Sequence, residues 1–270
     1  MRRLIAIAAA LAVTAAPSAL AHEPPTAAHS PKLATAATHK KHKYPWAKRV
    51  AAARAYLHHR AGHVAFAVVD EKGVLRGLRG NVQYPSASLV KAMFLVAYLE
   101  RARHRGLTGS DRALLHPMIT RSDNNAATRV RNIVGPGRVY GVARRAHMTH
   151  FVLKQRWGDT LITANDQARY FSKIDRLVPK RHRSYARSLL ASIIPAQRWG
   201  VAQAVPSGWH VFFKAGWRPL GGRQLVTQSG LFEHGKRRVS ISVLTVDEPS
   251  QGYGEATIRG VTRQVLRGLR

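Results

Sequence analysis

The chain reads as an α+β fold in which a five-stranded antiparallel sheet is flanked by helices and a small all-helical lobe occupies about residues 86–195. Three observations predict it. A helix followed by two β-type runs opens the folded part, six helical stretches fill the middle, and three β-type runs with a last helix close the chain. Composition is consistent with a single large core, because 45% of the 270 residues are hydrophobic. The chain has no cysteine, which excludes disulfide scaffolds and thiolate metal sites.

From Pro45, the positions Trp46, Val50, Ala53, Tyr56 and Leu57 recur at helical spacing, with proline near the first turn. Residues 64–69 form a continuous apolar run of buried-strand type, and Glu71-Lys72-Gly73 turns the chain into a second strand over 74–80. Helical spacing then predicts helices over 89–103, 111–120, 124–133, 137–146, 165–177 and 184–194, punctuated by Gly and Pro. Strands return over 209–214, 224–232 and 238–246, the last two joined by the turn Glu233-His234-Gly235-Lys236, and a helix is expected over 255–269.

The segment before this domain has a different character. Met1-Arg2-Arg3, an apolar run over 4–16 and the ending Ala19-Leu20-Ala21 have the build of a secretory signal peptide over residues 1–21, so an extracytoplasmic location is expected. Residues 22–44 are rich in Ala, Thr, Pro, His and Lys, hold one acid, Glu23, and lack periodicity; they are expected to be a disordered basic leader to a folded domain over 45–270. His39-Lys40-Lys41-His42-Lys43 has no acid to complete a ligand set, and its lysines repel a cation, so no metal or other cofactor is assigned.

Charge is the compositional anomaly: 44 Lys and Arg face 13 Asp and Glu, a net +31. Such an excess attracts polyanions without specifying a fold. No nucleic-acid motif is present and the aromatics are not interleaved with basic residues, so nucleic acid is not an expected partner, whereas an anionic cell-wall polymer is. Arginine outnumbers lysine 32 to 12, a bias that a GC-rich coding sequence produces unaided, so the charge is a tendency and not a function.

Three short motifs carry chemistry. In Ser88-Leu89-Val90-Lys91, at the start of an apolar helix, a spacing of three places Lys91 beside Ser88, and a neutral amine there can take the serine proton. In Ser122-Asp123-Asn124, between two helices, a hydroxyl can shuttle a proton and an amide can hold a substrate amide, while Asp123 is expected to cap the next helix. In Lys214-Ala215-Gly216-Trp217, at the end of a strand, lysine supplies charge at the site edge. Gly216 there allows a close backbone approach by substrate, and the Trp217 N–H can complete an oxyanion hole with that of Ser88.

Taken in this order, on a helix start, an interhelical loop and a strand, the motifs resemble those of class A β-lactamases and penicillin-binding proteins. The resemblance runs from about Pro45 to the C-terminus. Local wording extends it: residues 119–127, Ile-Thr-Arg-Ser-Asp-Asn-Asn-Ala-Ala, look like the family's loop, and Asp159-Thr160 with Thr163-Ala164-Asn165-Asp166 resembles the exit of its omega loop. It implies a β-lactamase/transpeptidase-like fold, Ser88 as acylated nucleophile, Lys91 as its activator and Ser122 as proton donor to the leaving nitrogen. Asn124, Lys214, Gly216 and Trp217 would bind substrate, a β-lactam or a peptidoglycan stem peptide of D-alanyl-D-alanine type, in a monomer.

The departures qualify that implication. The family's hydrolytic members activate water with an omega-loop glutamate, and this chain has no Glu between Glu100 and Glu233. Gln155-Arg156-Trp157-Gly158 is basic and bulky where that acid would stand, and Asp159 is the one acid left to substitute for it. Ala215 replaces a usual hydroxyl residue, and the short interval from Ser88 to Ser122 implies a trimmed helical lobe. The expectation is a serine acyl hydrolase whose deacylation is impaired, or a non-hydrolysing binding protein on the same site.

Overall fold

Helices and one large sheet alternate in the computed structural model, which describes residues 44–270. The expected signal peptide, and all of the expected leader except Tyr44, lie outside the described residues. Tyr44 belongs to the fold: its hydroxyl donates to the Val265 carbonyl at 2.7 Å and its ring meets Trp46 edge-on.

After helix α1 (Trp46–Leu57) the chain enters β1 (His63–Val69) and β2 (Leu75–Leu78). The strands β5 (His210–Leu220), β6 (Arg223–His234) and β7 (Arg237–Glu248) come from the other end of the chain and complete one antiparallel sheet in the order β2-β1-β7-β6-β5. Six consecutive buried residues in β1 account for its unbroken apolar run: this strand lies inside the sheet with both faces covered. The closing helix α7 (Gln251–Leu266) packs on β6 and β7, and α5 (Ala164–Leu177) packs on β1, β6 and β7.

The helical lobe comprises α2 (Lys91–Arg101), α3 (Gly109–Thr120), α4 (Asn124–Ala146) and α6 (Arg183–Ala191). Every residue of α2 from Lys91 to Leu99 is buried, so this helix is a core element with no solvent face. Asp111 ties α2 to α3: it closes a capping box with Thr108 and also accepts from Tyr98 at 2.6 Å and Arg105 at 2.5 Å. Those donors hold its carboxyl well below the usual carboxylate range, the Arg105 bond first among them.

The two helices expected over 124–133 and 137–146 form one span broken at Gly135, whose φ of +67° is the left-handed conformation that glycine tolerates. The expected end of a strand at Lys214-Ala215-Gly216-Trp217 is in fact the middle of β5, which continues to Leu220 and a tight Gly221-Gly222 turn with φ of +59° and +75°. Pro219 lies inside it, and a proline is accommodated because β5 is an edge strand. A second, small sheet was not legible in the sequence: β3 (Gln83–Pro85) pairs with β4 (Leu161–Thr163), which brings the segment before Ser88 against the segment after Trp157.

Candidate active site

The nucleophile candidate sits on a 3-10 turn, Ala87–Val90, that runs directly into α2. The Lys91 N–H donates to the Ser88 carbonyl, which closes one turn between the two residues, while the hydrogen bonds of the Lys91 amine go to Ser122 and Asn124. Ala87 holds this turn in a left-handed conformation, φ +43°, which a non-glycine residue adopts only under constraint. The constraints are visible: the Ser86 N–H donates to the Thr160 carbonyl at 2.8 Å, and its own carbonyl accepts from the Thr227 hydroxyl at 3.1 Å.

The edge of β5 closes on this turn. A Cβ on Gly216 would stand 2.6 Å from the Ser86 carbonyl oxygen, 2.7 Å from the Ser88 nitrogen and 2.8 Å from the Leu89 nitrogen, so only glycine fits. The close approach that Gly216 permits is therefore first of all between the protein's own strand and its nucleophile turn. Next to it, the half-buried Trp217 leans on Trp199, with ring centroids 5.8 Å apart in an edge-on contact.

Ser122 is the meeting point. Its backbone is also left-handed, φ +60°, and the loop is pinned from several sides: Asp123 caps α4 by accepting from the Ala126 N–H at 2.7 Å, the Asp123 N–H donates to the Pro117 carbonyl, and Gln197 bonds the Arg121 carbonyl. The Lys91 amine reaches the Ser122 carbonyl, the Ser122 hydroxyl at 3.2 Å and the Asn124 side-chain oxygen at 2.7 Å. From the opposite wall the Lys214 amine reaches the same hydroxyl at 3.1 Å and the Ala215 carbonyl at 2.9 Å.

Both lysines are fully buried, and burial disfavours their charged forms. Lys91 is lowered to about 7 by burial, against the opposing pull of the Asp123 carboxylate. Lys214 is lowered well below the ordinary lysine range, by burial and then by the Lys91 charge beside it. Two amines flanking one hydroxyl, with at least one near neutrality at physiological pH, form a path along which a proton can move. Ser88 is partly exposed and makes no side-chain hydrogen bond among the described residues, so its hydroxyl is open to a ligand.

A family model, that of the beta-lactamase enzyme family, matches residues 104–269, which include the Ser122 loop and the strands β5, β6 and β7. The chain belongs to the beta-lactamase enzyme family. That match begins after Ser88 and Lys91. A beta-lactamase from Sphaerobacter thermophilus is 21% identical with a TM-score of 0.70, covering 82% of this chain and 96% of its own. The class A beta-lactamase of Mycobacterium abscessus is 20% identical with a TM-score of 0.69, covering 81% and 98%. A class A representative from Bacteroides cellulosilyticus is 14% identical with a TM-score of 0.72, covering 83% and 97%. No curated protein sequence matches the chain. At such identities the likeness shows the class A beta-lactamase-like fold.

Lys91, Ser122, Asn124 and Lys214 are thus joined by hydrogen bonds, Gly216 lies against the turn that carries Ser88, and Trp217 follows it along β5. Asp159 makes no hydrogen bond to any of them among the described residues: its carboxylate is engaged by Arg218 of β5 and lies 3.8 Å from Arg156. The contact that sequence reasoning missed is made by Trp157, whose ring centre lies 4.9 Å from the Lys91 amine. A tryptophan in an otherwise basic, glycine-containing loop was the available signal, since so large an apolar ring seeks cover. Among the described residues no cluster of His, Asp and Glu could hold a metal ion.

Proposed function

We propose that this member of the beta-lactamase enzyme family is an extracytoplasmic serine acyl hydrolase that acylates Ser88 with β-lactams or peptides of D-alanyl-D-alanine type and releases the acyl group slowly. The observation that carries the reading is the convergence of Lys91 and Lys214 on the Ser122 hydroxyl, one 3-10 turn from an unengaged Ser88. The Ser88 oxygen attacks the substrate carbonyl and its proton passes to neutral Lys91. Backbone N–H groups of the 3-10 turn and of the β5 edge receive the oxyanion. As the carbon–nitrogen bond breaks, Ser122 gives its proton to the leaving nitrogen and recovers one from the lysine pair, leaving an ester on Ser88.

Release of that ester needs an activated water. The neighbouring acids are committed elsewhere, Asp159 to Arg218 and Asp123 to the α4 cap, which supports a persistent acyl-enzyme. The same observation favours a second reading, a wall-peptide or penicillin receptor that never turns over, held near an anionic cell-wall polymer by its positive charge. Intact-mass measurement of the mature protein with a labelled penicillin separates them. The expected result is a single adduct, absent in Ser88→Ala, that decays over hours; an adduct that never decays assigns the receptor, and no adduct overturns acylation by β-lactams.

A further inference from the structure

The wall of the site facing Lys91 from the helical lobe's long connection is made by one side chain. Trp157 opens the 3-10 turn Trp157–Asp159, and its ring is held in place on three sides. Its indole N–H donates to the Thr128 hydroxyl of α4 at 3.1 Å, and its face meets Phe94 of α2 edge-on at 6.3 Å. Its backbone carbonyl accepts from the Thr160 N–H, while Thr160 in turn receives the Ser86 N–H at 2.8 Å. The Arg218–Asp159 ion pair then ties the end of the turn to β5. With its N–H turned to Thr128, the indole offers Lys91 no hydrogen-bonding atom, only its apolar ring face.

We propose that Trp157 is a positioning residue of this site, an apolar cover that keeps solvent from the Lys91 amine and so maintains the lysine as the base that activates Ser88. This rests on the acyl-serine reading above and adds to it the residue on which the base depends. The polar groups bonded to the amine favour its charged form: the Ser122 carbonyl and hydroxyl and the Asn124 oxygen accept from it, and the Asp123 carboxylate attracts it. Lys214, across Ser122, is the one cation opposing it. Exclusion of water is what tips the balance toward neutrality, and the Trp157 ring is an apolar surface lying 4.9 Å from the buried amine. The attraction of the indole face for an ammonium works against this and is the smaller effect beside the loss of hydration.

The test uses the mature protein with 13Cε-labelled lysine, its Lys91 resonance assigned by its absence from Lys91→Met, together with the pH profile of acylation by a chromogenic cephalosporin. In Trp157→Ala the Lys91 titration and the ascending limb of the acylation profile are expected to move upward together by about one pH unit, which is about a tenfold slower acylation on the acid side. Trp157→Phe, which keeps the apolar cover without the Thr128 bond, is expected to restore the lower titration. Where the alanine variant does not fold, judged by its thermal transition, Trp157→Gln is read in its place, since it fills the position while admitting water. Lys91 titrating at the same pH in the parent and in the folded alanine or glutamine variant overturns the proposal. A parent protein that forms no adduct overturns the acylation reading instead, and the lysine titrations still decide the role of Trp157.

Discussion

The two walls that close on Lys91 are built from opposite materials. One is polar: Ser122 and Asn124 accept from Lys91, Lys214 donates to Ser122, and the loop is held by the Asp123 cap and the Gln197 bond. The other is apolar, a single indole backed by Phe94, with its nearest acid turned away to Arg218. The polar wall can make and receive protons, whereas the apolar wall can only keep water out.

Breaking the polar wall should have the largest effect. Lys91→Met is expected to slow acylation by about 10²- to 10⁴-fold, the usual cost of losing a general base, as followed by the rate of adduct formation. In the parent, acylation should rise as pH increases through about 7, because Lys91 becomes neutral there. The same shift has a stability cost with a defined sign. Between its ordinary 10.5 and about 7 the unfolded lysine holds a proton that the folded one has released, so stability falls as pH drops through that window. Melting curves of Lys91→Met and the parent should therefore diverge in favour of the variant as pH falls from 10 to 7.

Next in size is the seam between the walls. Gly216→Ala forces a methyl group against the backbone of Ser86, Ser88 and Leu89, and is expected to cost about 1–3 kcal/mol in stability along with much of the acylation rate. Glu248, at the end of β7 and away from the cleft, provides a comparison outside both walls. It is buried with neither carboxyl oxygen hydrogen-bonded, and burial raises it from 4.5 to about 7 against the pull of Thr245, Arg60, Thr257 and Arg223. The folded state thus keeps a proton that the unfolded state loses between those values, and stability falls as pH rises through them. Glu248→Gln should leave acylation in place and stabilise the fold by about 1–3 kcal/mol at pH 8, with a smaller gain at pH 5, by denaturant titration.

The smallest effect is expected at the apolar wall's acid. Asp159→Asn removes a half-exposed ion pair, so a stability loss below about 1 kcal/mol is expected, and the lifetime of the acyl adduct should not change. A lifetime several-fold longer in Asp159→Asn would make Asp159 the water-activating acid and would remove the contrast between the walls.

Much of this molecule was legible because its signals are local. The apolar run of β1, the helical spacing of α1 and α5, and the glycine turn before β7 each state their own geometry within a few residues. Ser88 and Lys91 are likewise neighbours by helical spacing alone. Boundaries failed where a residue had two meanings: Gly216 and Pro219 look like a strand's end, yet one is a contact point and the other is tolerated at a sheet edge. The pairing of β3 with β4 escaped because strands of three residues have no periodicity to read.

By itself the sequence determined the alternation of elements, the composition of three motifs and the absence of a glutamate between Glu100 and Glu233, since these are properties of residue order. Only the tertiary structure decided what stands beside Lys91. Trp157 comes beside it where β3 and β4 pair and Ser86 bonds Thr160, and the Asp159 carboxylate is bonded by Arg218 of β5. Whether an amine in this chain is a charge or a base depends on how much water its neighbours leave it, and those neighbours are brought together by packing across the fold rather than by their order along the chain.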